Sequence, residues 1–281
     1  AVLPSAGLML VAGVMGFLHY RRGLPWKVLA PIGFVLTLIV TYIGQMPDVV
    51  SFTGLNVHGQ APDVQGWSFI LLGYAFLASV LPVWSLLQPR DFLNSLLLYL
   101  GLFALFGGLF LLNPEFTAPA FRPAPEGAPA LFPAVFIIIA CGAASGFHSL
   151  VSSGTTAKQI AKETHARPIG YGGMIGESLL GLLAVLATTA GIMSAEWEVR
   201  YASWKSMGGL GAQIGVFIQG CSTFLSAWGI DPYLGASFVS LIVVSYALTS
   251  LDSATRLLRY NIEEMAESAR LPLPRGPYGS I

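Results

Sequence analysis

Glu177 lies well inside a long apolar segment, where few acidic residues occur. A carboxyl group at membrane depth costs free energy, and it is usually kept because it pairs with another group or carries an ion or a proton. Gly172 and Gly176, four residues apart, favour close approach of a second helix nearby. The sequence therefore predicts one of two roles for Glu177. It is a proton or cation carrier, or a buried carboxyl group hydrogen-bonded to a neighbouring helix.

A second polar stretch, residues 139–156, combines glycine, serine and threonine with one histidine, His148. Imidazole titrates near neutral pH, so His148 is a candidate proton carrier, although a structural hydrogen-bonding role is the common alternative. Gly142 and Gly146 weaken a helix, and backbone that unwinds at membrane depth must line a cavity or be buried in protein. The alternative for this glycine pair is a tight helix contact. Candidate ligands for a substrate or an ion are Ser145, Ser149, Ser152 and Ser153.

These residues must be positioned by membrane helices, because the composition excludes a soluble domain. Of the 281 residues, 54% are hydrophobic and 10% are charged, and the net charge is zero. Ordinary soluble domains contain about 25% charged residues. A soluble core cannot hide this much apolar surface from water. The chain is therefore predicted to be an all-α, polytopic transmembrane helix bundle surrounded by lipid.

Several other functions find no support in the residues. No basic cluster interleaved with aromatics is present, so no nucleic-acid partner is expected. The two cysteines, Cys141 and Cys221, lie in apolar segments without metal-ligand spacing, so no metal site is expected. No phosphate-binding loop and no nucleophile motif suggest an enzyme. We expect no cofactor beyond a coupling ion, H⁺ or Na⁺.

Seven apolar segments approach the length of about 20 residues that a helix needs to cross a bilayer. They are 4–20, 28–46, 67–87, 92–112, 131–151, 168–193 and 233–251. A weaker segment, 211–230, contains Gln213 and Gln219 and is predicted to lie in the interface or to re-enter. Residues 1–255 are thus expected to form the membrane bundle. Residues 256–281 are expected to form a cytoplasmic amphipathic tail that is cut short.

The loop charges orient these segments, because lysine and arginine accumulate in cytoplasmic loops. Positive charges follow the first, fifth and last segments, whereas 46–66 has two aspartates and no lysine or arginine. The assignments agree only if 211–230 does not cross. The first span then runs from outside to inside, and the proline-rich connection 113–130 is external.

Two ion pairs are predicted at the cytoplasmic edge. Asp252 and Arg256 stand one helical turn apart, and Arg90 adjoins Asp91. Near the end of the third span, Pro82 removes a helical hydrogen bond and leaves a carbonyl one turn earlier without its partner. That break is either a simple kink or part of a cavity wall.

Several blocks of sequence resemble the carbon starvation protein A family. They include YAFLASVLPVW at 74–84, QPRD at 88–91, ACGAASGFHSL at 140–150, SSGTT at 152–156, IGYGGM at 169–174, ES at 177–178 and LDSATR at 251–256. The blocks are in family order and extend over nearly the whole chain. The resemblance implies an inner-membrane nutrient transporter used when carbon is scarce, with peptides as the expected substrate. Some relatives are associated with proton-coupled pyruvate uptake.

The resemblance also implies a LeuT-like fold of the amino acid–polyamine–organocation superfamily, with five-helix inverted repeats. If the first span is the fourth of ten, the third becomes the broken first helix of the second repeat. The fifth becomes the eighth helix, which would offer the oxygens of Ser149, Ser152 and Ser153 to a cation. Numbering shifted by two would make the fifth span the broken helix instead. Family members have further upstream helices, so the chain is expected to be a fragment whose partners include them.

Three functions follow in order of expectation. The first is secondary uptake of peptides, with Glu177 or His148 handling the proton and the serines near the substrate. The second is pyruvate/proton symport. The third, from another class, is a membrane sensor or scaffold that binds a metabolite and signals through the helix at 256–270.

Overall fold

The computed structural model describes residues 2–44, 46, 64–122, 125, 127–144 and 146–270, and the regular elements in these ranges are helical. The α-helices, numbered in chain order, are α1 Val2–Arg22, α2 Trp26–Ile43, α3 Val64–Val80, α4 Leu87–Leu112, α5 Leu131–Ala143, α6 Gly146–Val151, α7 Ala166–Ala190, α8 Ser194–Arg200, α9 Leu210–Ser226 and α10 Pro232–Ser268.

Five helices in the described ranges are long and apolar enough to cross a membrane: α1, α2, α4, α7 and α10. They match five of the seven predicted spans. The other two predicted spans correspond to α3 and α5, which are apolar but shorter. Helix α9 falls below that standard of length and apolarity, and its path relative to the membrane stays a prediction.

The chain divides into two compact units. The first unit comprises Ala1–Tyr99 and Ser240–Ile281. Within it, α1 and α2 run antiparallel, because Gly7 approaches Val40 while Met15 approaches Gly33. The turn between them places Gly23 at φ 71°, a left-handed conformation that glycine adopts without strain. Buried leucines and alanines of α1, α3 and α4 form the apolar core of this unit.

The junction between α3 and α4 differs in extent from the predicted spans. Helix α3 ends at Val80 and α4 begins at Leu87, so residues 81–86 are not α-helical. The predictions continued the third span to 87 and started the fourth at 92. Pro82 explains the early end of α3, because it has no N–H and disfavours helical backbone in the residue before it.

The second unit is Leu100–Val239. Here α7 and α9 meet backbone to backbone: a Cβ added at Gly220 would collide with the Ala187 carbonyl. Trp228 packs against Gly107, and its indole N–H donates to the Ala104 carbonyl over 2.8 Å. Small residues in these helices therefore create close contacts, as expected for membrane helices.

The predicted interruption of the fifth span is confirmed. Helix α5 ends at Ala143, α6 covers Gly146–Val151, and a π-helical turn follows at Ser152–Thr156. Among the described atoms, none outside the helix itself lies within 4 Å of a Cβ built at Gly142 or Gly146. Within the described residues, the glycine pair therefore does not form the tight helix contact that was its alternative role.

Helix α10 is 37 residues long and continues without a break past the predicted end of the last span at 251. The amphipathic segment predicted after 256 is the continuation of this helix. Leu258, Ile262 and Met265 are exposed along its surface.

Candidate functional site

A buried ion pair joins α4 and α10 in the first unit. The Arg90 side chain is 0% exposed, and its Nη1 lies 2.6 Å from Oδ2 of Asp252, whose side chain is 2% exposed. The Tyr74 hydroxyl, from α3, donates to the same Oδ2 over 2.8 Å and accepts a hydrogen bond from Arg90 Nη1 over 2.6 Å. One carboxylate oxygen therefore holds three helices together through charge-assisted hydrogen bonds.

A second carboxyl group stands beside the same guanidinium. Arg90 Nη2 donates to Thr249 Oγ1 over 3.1 Å and lies 3.9 Å from Oδ1 of Asp91, whose side chain is 42% exposed. Thr249 Oγ1 also accepts from the Asn94 amide over 3.2 Å, and it lies 3.3 Å from Asp91 Oδ1. The guanidinium thus has one close, buried counter-ion and one more distant, partly exposed counter-ion.

The polar residues of α10 that build this cluster form one stripe. Their spacings of four, seven, eleven and fourteen residues place them on a single helix face. They are Ser245, Thr249, Asp252, Arg256 and Arg259. The stripe is the sequence signal that could have located the cluster.

Arg256 satisfies the carbonyl that Pro82 leaves without a helical donor. The position four residues before Pro82 is Ala78, and Arg256 Nη2 donates to the Ala78 oxygen over 2.7 Å. Arg259 Nη1 donates to the next carbonyl, that of Ser79. Two cations at the C-terminal end of α3 also interact favourably with the helix dipole.

The predicted pair between Asp252 and Arg256 is therefore corrected: Asp252 pairs with Arg90 instead. The reason is geometric, since the Arg256 side chain is directed to the end of α3 and Asp252 faces α4. The predicted neighbour pair of Arg90 and Asp91 is present only as a 3.9 Å approach, because Arg90 is fully buried against Asp252.

The cluster retains unused hydrogen-bonding capacity. Within the described residues, six buried side-chain polar atoms have no hydrogen-bond partner: Arg90 Nε, Asn94 Oδ1, Ser245 Oγ, Asp252 Oδ1, Arg256 Nε and Arg259 Nε, the last of which still has an ion-pair contact with Glu263. A buried polar atom without a partner is costly, and such atoms call for a functional explanation.

The second unit brings the two predicted proton carriers together. His148 on α6 and Glu177 on α7 place Nε2 and Oε1 3.5 Å apart, and about two thirds of each side chain is exposed, 64% and 67%. The sequence singled out each residue but did not predict that they are neighbours. At this distance a protonated imidazole forms an ion pair with the carboxylate.

The predicted serine ligands have mixed surroundings. Ser149 Oγ donates to the Gly146 carbonyl over 2.8 Å, and Ser153 Oγ donates to the Ser149 carbonyl over 2.9 Å. Both hydroxyl oxygens keep lone pairs for a ligand, because each hydroxyl group can accept as well as donate. Ser152 opens the π-helical turn, and Ser145 lies outside the described residues.

A polar ring that the sequence analysis missed fixes α8 to α9. Glu196 Oε1 accepts hydrogen bonds from Arg200 Nε and Nη2 over 2.9 and 2.7 Å, and its Oε2 accepts from Gln219 over 2.7 Å. Arg200 Nη2 also donates to Gln219 Oε1 over 3.0 Å. The hydrogen bonds from Arg200 lower the pKa of Glu196. Gln219 is thus a structural partner on α9.

Comparison with known proteins adds the family. The sequence model described as "Carbon starvation protein CstA" matches residues 1–213. The chain is similar to a protein named peptide transporter CstA from Helicobacter pylori, with 35% identity over 79% of this chain and 31% of the relative. A protein of the same name from Bacillus subtilis is 30% identical over 92% of this chain and 47% of its own length.

A differently named relative is the pyruvate/proton symporter BtsT of Escherichia coli, 48% identical over 43% of this chain and 18% of the relative. The chain thus spans about a third of the length of the Helicobacter pylori relative and about half of that of the Bacillus subtilis relative. No solved structure matches the chain.

Proposed function

This chain belongs to the carbon starvation protein CstA family, and from that membership we propose that it works in secondary active uptake of small nutrients, with peptides as the first candidate. The helices suited to cross a membrane and the named relatives support a multi-pass membrane protein. We place it in the bacterial inner membrane. The relative named as a pyruvate/proton symporter favours a second candidate, proton-coupled uptake of pyruvate.

The observation that carries the proposal is an ionisable pair beside an interrupted apolar helix. His148 and Glu177 meet where α5 gives way to α6 and the π-helical turn. Ionisable residues within membrane segments mark proton and substrate pathways, and transporters use broken helices to present backbone groups to ligands. In this proposal the pair holds the coupling proton. Ser149, Ser152 and Ser153 lie near the substrate or a cation.

The proposed architecture is the LeuT-like inverted repeat. The junction of α3 and α4 supports it. At the end of α3, the carbonyls of Ala78 and Ser79 accept hydrogen bonds from Arg256 and Arg259. In the mapping that the resemblance implies, α3 belongs to the broken first helix of the second repeat, and transporters of this kind use discontinuous helices.

The test uses the full-length protein in sealed proteoliposomes with labelled dipeptide or labelled pyruvate. Each substrate is followed with and without an inward proton gradient. We expect gradient-driven accumulation of one of the two. Accumulation of neither, by protein shown to be folded, would refute the proposed uptake.

The role of Glu177 is tested by Glu177→Gln. This variant should lose gradient-driven accumulation but retain exchange of external for internal substrate, because exchange needs no net proton release. Glu264→Gln, at an exposed position late in α10, is the matched control and should behave as the unmodified protein. Unchanged accumulation by Glu177→Gln would exclude it as the proton carrier.

A further inference from the structure

A cavity of about 710 Å³ in the second unit lies between α8 and the segment that follows α4. We propose that it is an outer capture site for a small ligand with a carboxylate at one end and an ammonium group at the other. This inference rests on the proposed uptake function, because it names where such a substrate first binds. Pockets of roughly 300–1,000 Å³ accommodate small organic ligands.

Among the described residues that line the cavity, Arg122 supplies a cation. Its guanidinium carbon lies 5.3 Å from the centre of the Trp197 ring, and its Nη1 donates to the Tyr201 carbonyl over 2.8 Å. The ring and the carbonyl hold the planar group in place before a ligand arrives. An arginine has five N–H donors, so the others can bind a carboxylate, which matches the guanidinium in shape.

Glu198 is the carboxylate among the described lining residues, and it is available to a ligand. Within the described part of the chain, Glu198 makes no ion pair or hydrogen bond through its side chain, and it is exposed. Glu196, two residues earlier, is fully engaged with Arg200 and Gln219. Helix α8 therefore uses one glutamate for structure and presents the other to the cavity, where an ammonium group is its natural counter-ion.

Aromatic side chains supply the apolar part of the site. Phe116, Phe121 and Trp197 line the cavity, and both phenylalanines are well exposed. Exposed aromatic rings next to two opposite charges can bind the apolar side chain of a peptide while its ends are held by Arg122 and Glu198. A purely anionic ligand such as pyruvate would use Arg122 alone.

The segment that forms one wall is anchored, so the cavity has a defined shape. Thr117 donates to the Thr189 carbonyl through its N–H and its hydroxyl, each over 2.8 Å, and the Ala118 N–H donates to the same oxygen over 3.2 Å. Thr189 lies at the end of α7, which the loop charges assign to the outer face together with 113–130. The cavity is therefore on the side from which an imported nutrient arrives.

The test combines changes in the protein with changes in the ligand, using the full-length protein in lipid nanodiscs and in proteoliposomes. Binding of dialanine, N-acetyl-dialanine and pyruvate is measured by calorimetry for the unmodified protein, Arg122→Gln and Glu198→Gln. We expect Arg122→Gln to weaken all three ligands by about tenfold or more, as loss of a charge-assisted hydrogen bond does. Glu198→Gln should weaken dialanine alone, because only dialanine has an ammonium group.

Transport supplies the second readout. Both variants should raise KM for dialanine with little change in kcat, because the site captures the substrate and does not move it. Arg22→Gln, an exposed charge at the end of α1, is the control and should change neither constant. If Arg122→Gln folds poorly, Glu198→Gln still decides the outcome, because Glu198 supports no other described side chain.

The outcomes separate this inference from the proposed function. Transport by the unmodified protein with unchanged binding and KM in both cavity variants would overturn the capture site and leave uptake standing. Binding of dialanine that depends on Arg122 and Glu198, without gradient-driven accumulation, would support the site and refute uptake. Equal weakening of dialanine and N-acetyl-dialanine by Glu198→Gln would also overturn the inference.

Discussion

Arg256 donates a hydrogen bond to the carbonyl of Ala78, the backbone acceptor that Pro82 cannot serve. A break in one helix is thereby matched by a cation on another helix, 178 residues away in sequence. The junction of α3 and α4 is held open in a fixed geometry, because its unpaired carbonyls have specific partners. This relationship leads to a direct test.

Arg256→Met should destabilise the protein by about 1–3 kcal/mol, the usual cost of leaving a buried carbonyl without a donor. In a Pro82→Ala background the cost should be smaller, because the substituted alanine would supply a backbone N–H for the same oxygen. Unfolding in detergent, followed by circular dichroism, gives the four free energies of the cycle, with Arg22→Met as the control. Equal costs in both backgrounds would contradict the pairing.

Replacing Asp252 should be more damaging than replacing Asp91. Asp252→Asn leaves Arg90 buried without its close counter-ion, and such changes cost about 3–5 kcal/mol. Asp91→Asn removes a partly exposed group 3.9 Å away, and we expect a cost below about 1 kcal/mol. The double variant Arg90→Met, Asp252→Leu should be more stable than Asp252→Asn, since it leaves no buried guanidinium without its close counter-ion, and Asp91, which loses its distant partner, is partly exposed. Chemical unfolding of the three proteins decides the order.

The ring at Glu196 predicts a pH dependence. Its pKa is lowered in the folded state by the hydrogen bonds from Arg200, so folding stabilises the ionised form. The resulting stability is present above the ordinary titration range of glutamate, about 4 to 4.5, and is lost as the pH falls through the folded pKa. The unmodified protein should melt at a higher temperature than Glu196→Gln at pH 7. The two should converge in acid, and a difference that is constant with pH would contradict the assignment.

Cysteine labelling tests the orientation derived from the loop charges. In a background with Cys141 and Cys221 replaced by alanine, cysteines at 56 and 162 should react with an impermeant maleimide from opposite faces. Cysteines at 205 and 231 should both react from outside, because 211–230 is predicted not to cross. Reaction of 205 and 231 from opposite faces would show that α9 spans the membrane.

The backbone breaks could be read from the sequence, whereas the side-chain pairs could not. Pro82 and the glycines of 142–146 act on their own helix, and their effects are local. The pair of Arg90 and Asp252 depends on which turn of α10 faces α4. A single sequence does not show how two helices are aligned along each other. The stripe from Ser245 to Arg259 shows that this face is polar but does not identify its partners.

His148 and Glu177 illustrate the same limit in another form. Each was a candidate because placing an ionisable side chain in an apolar segment costs free energy. Their separation of 3.5 Å depends on how α6 is placed after the helix break, and no periodicity in the sequence encodes that placement.

The charges of Arg90, Arg256, Asp91 and Asp252 sum to zero when both carboxyl groups are ionised. Arg259 is likewise balanced by Glu263, 3.3 Å away on the same helix. Movement of these residues as a group therefore carries no net charge through the transmembrane electric field. An added proton or a charged substrate would do so, at about 2.3 kcal/mol per elementary charge for each 100 mV. This cluster by itself should therefore add nothing to the voltage dependence of any step in which it moves.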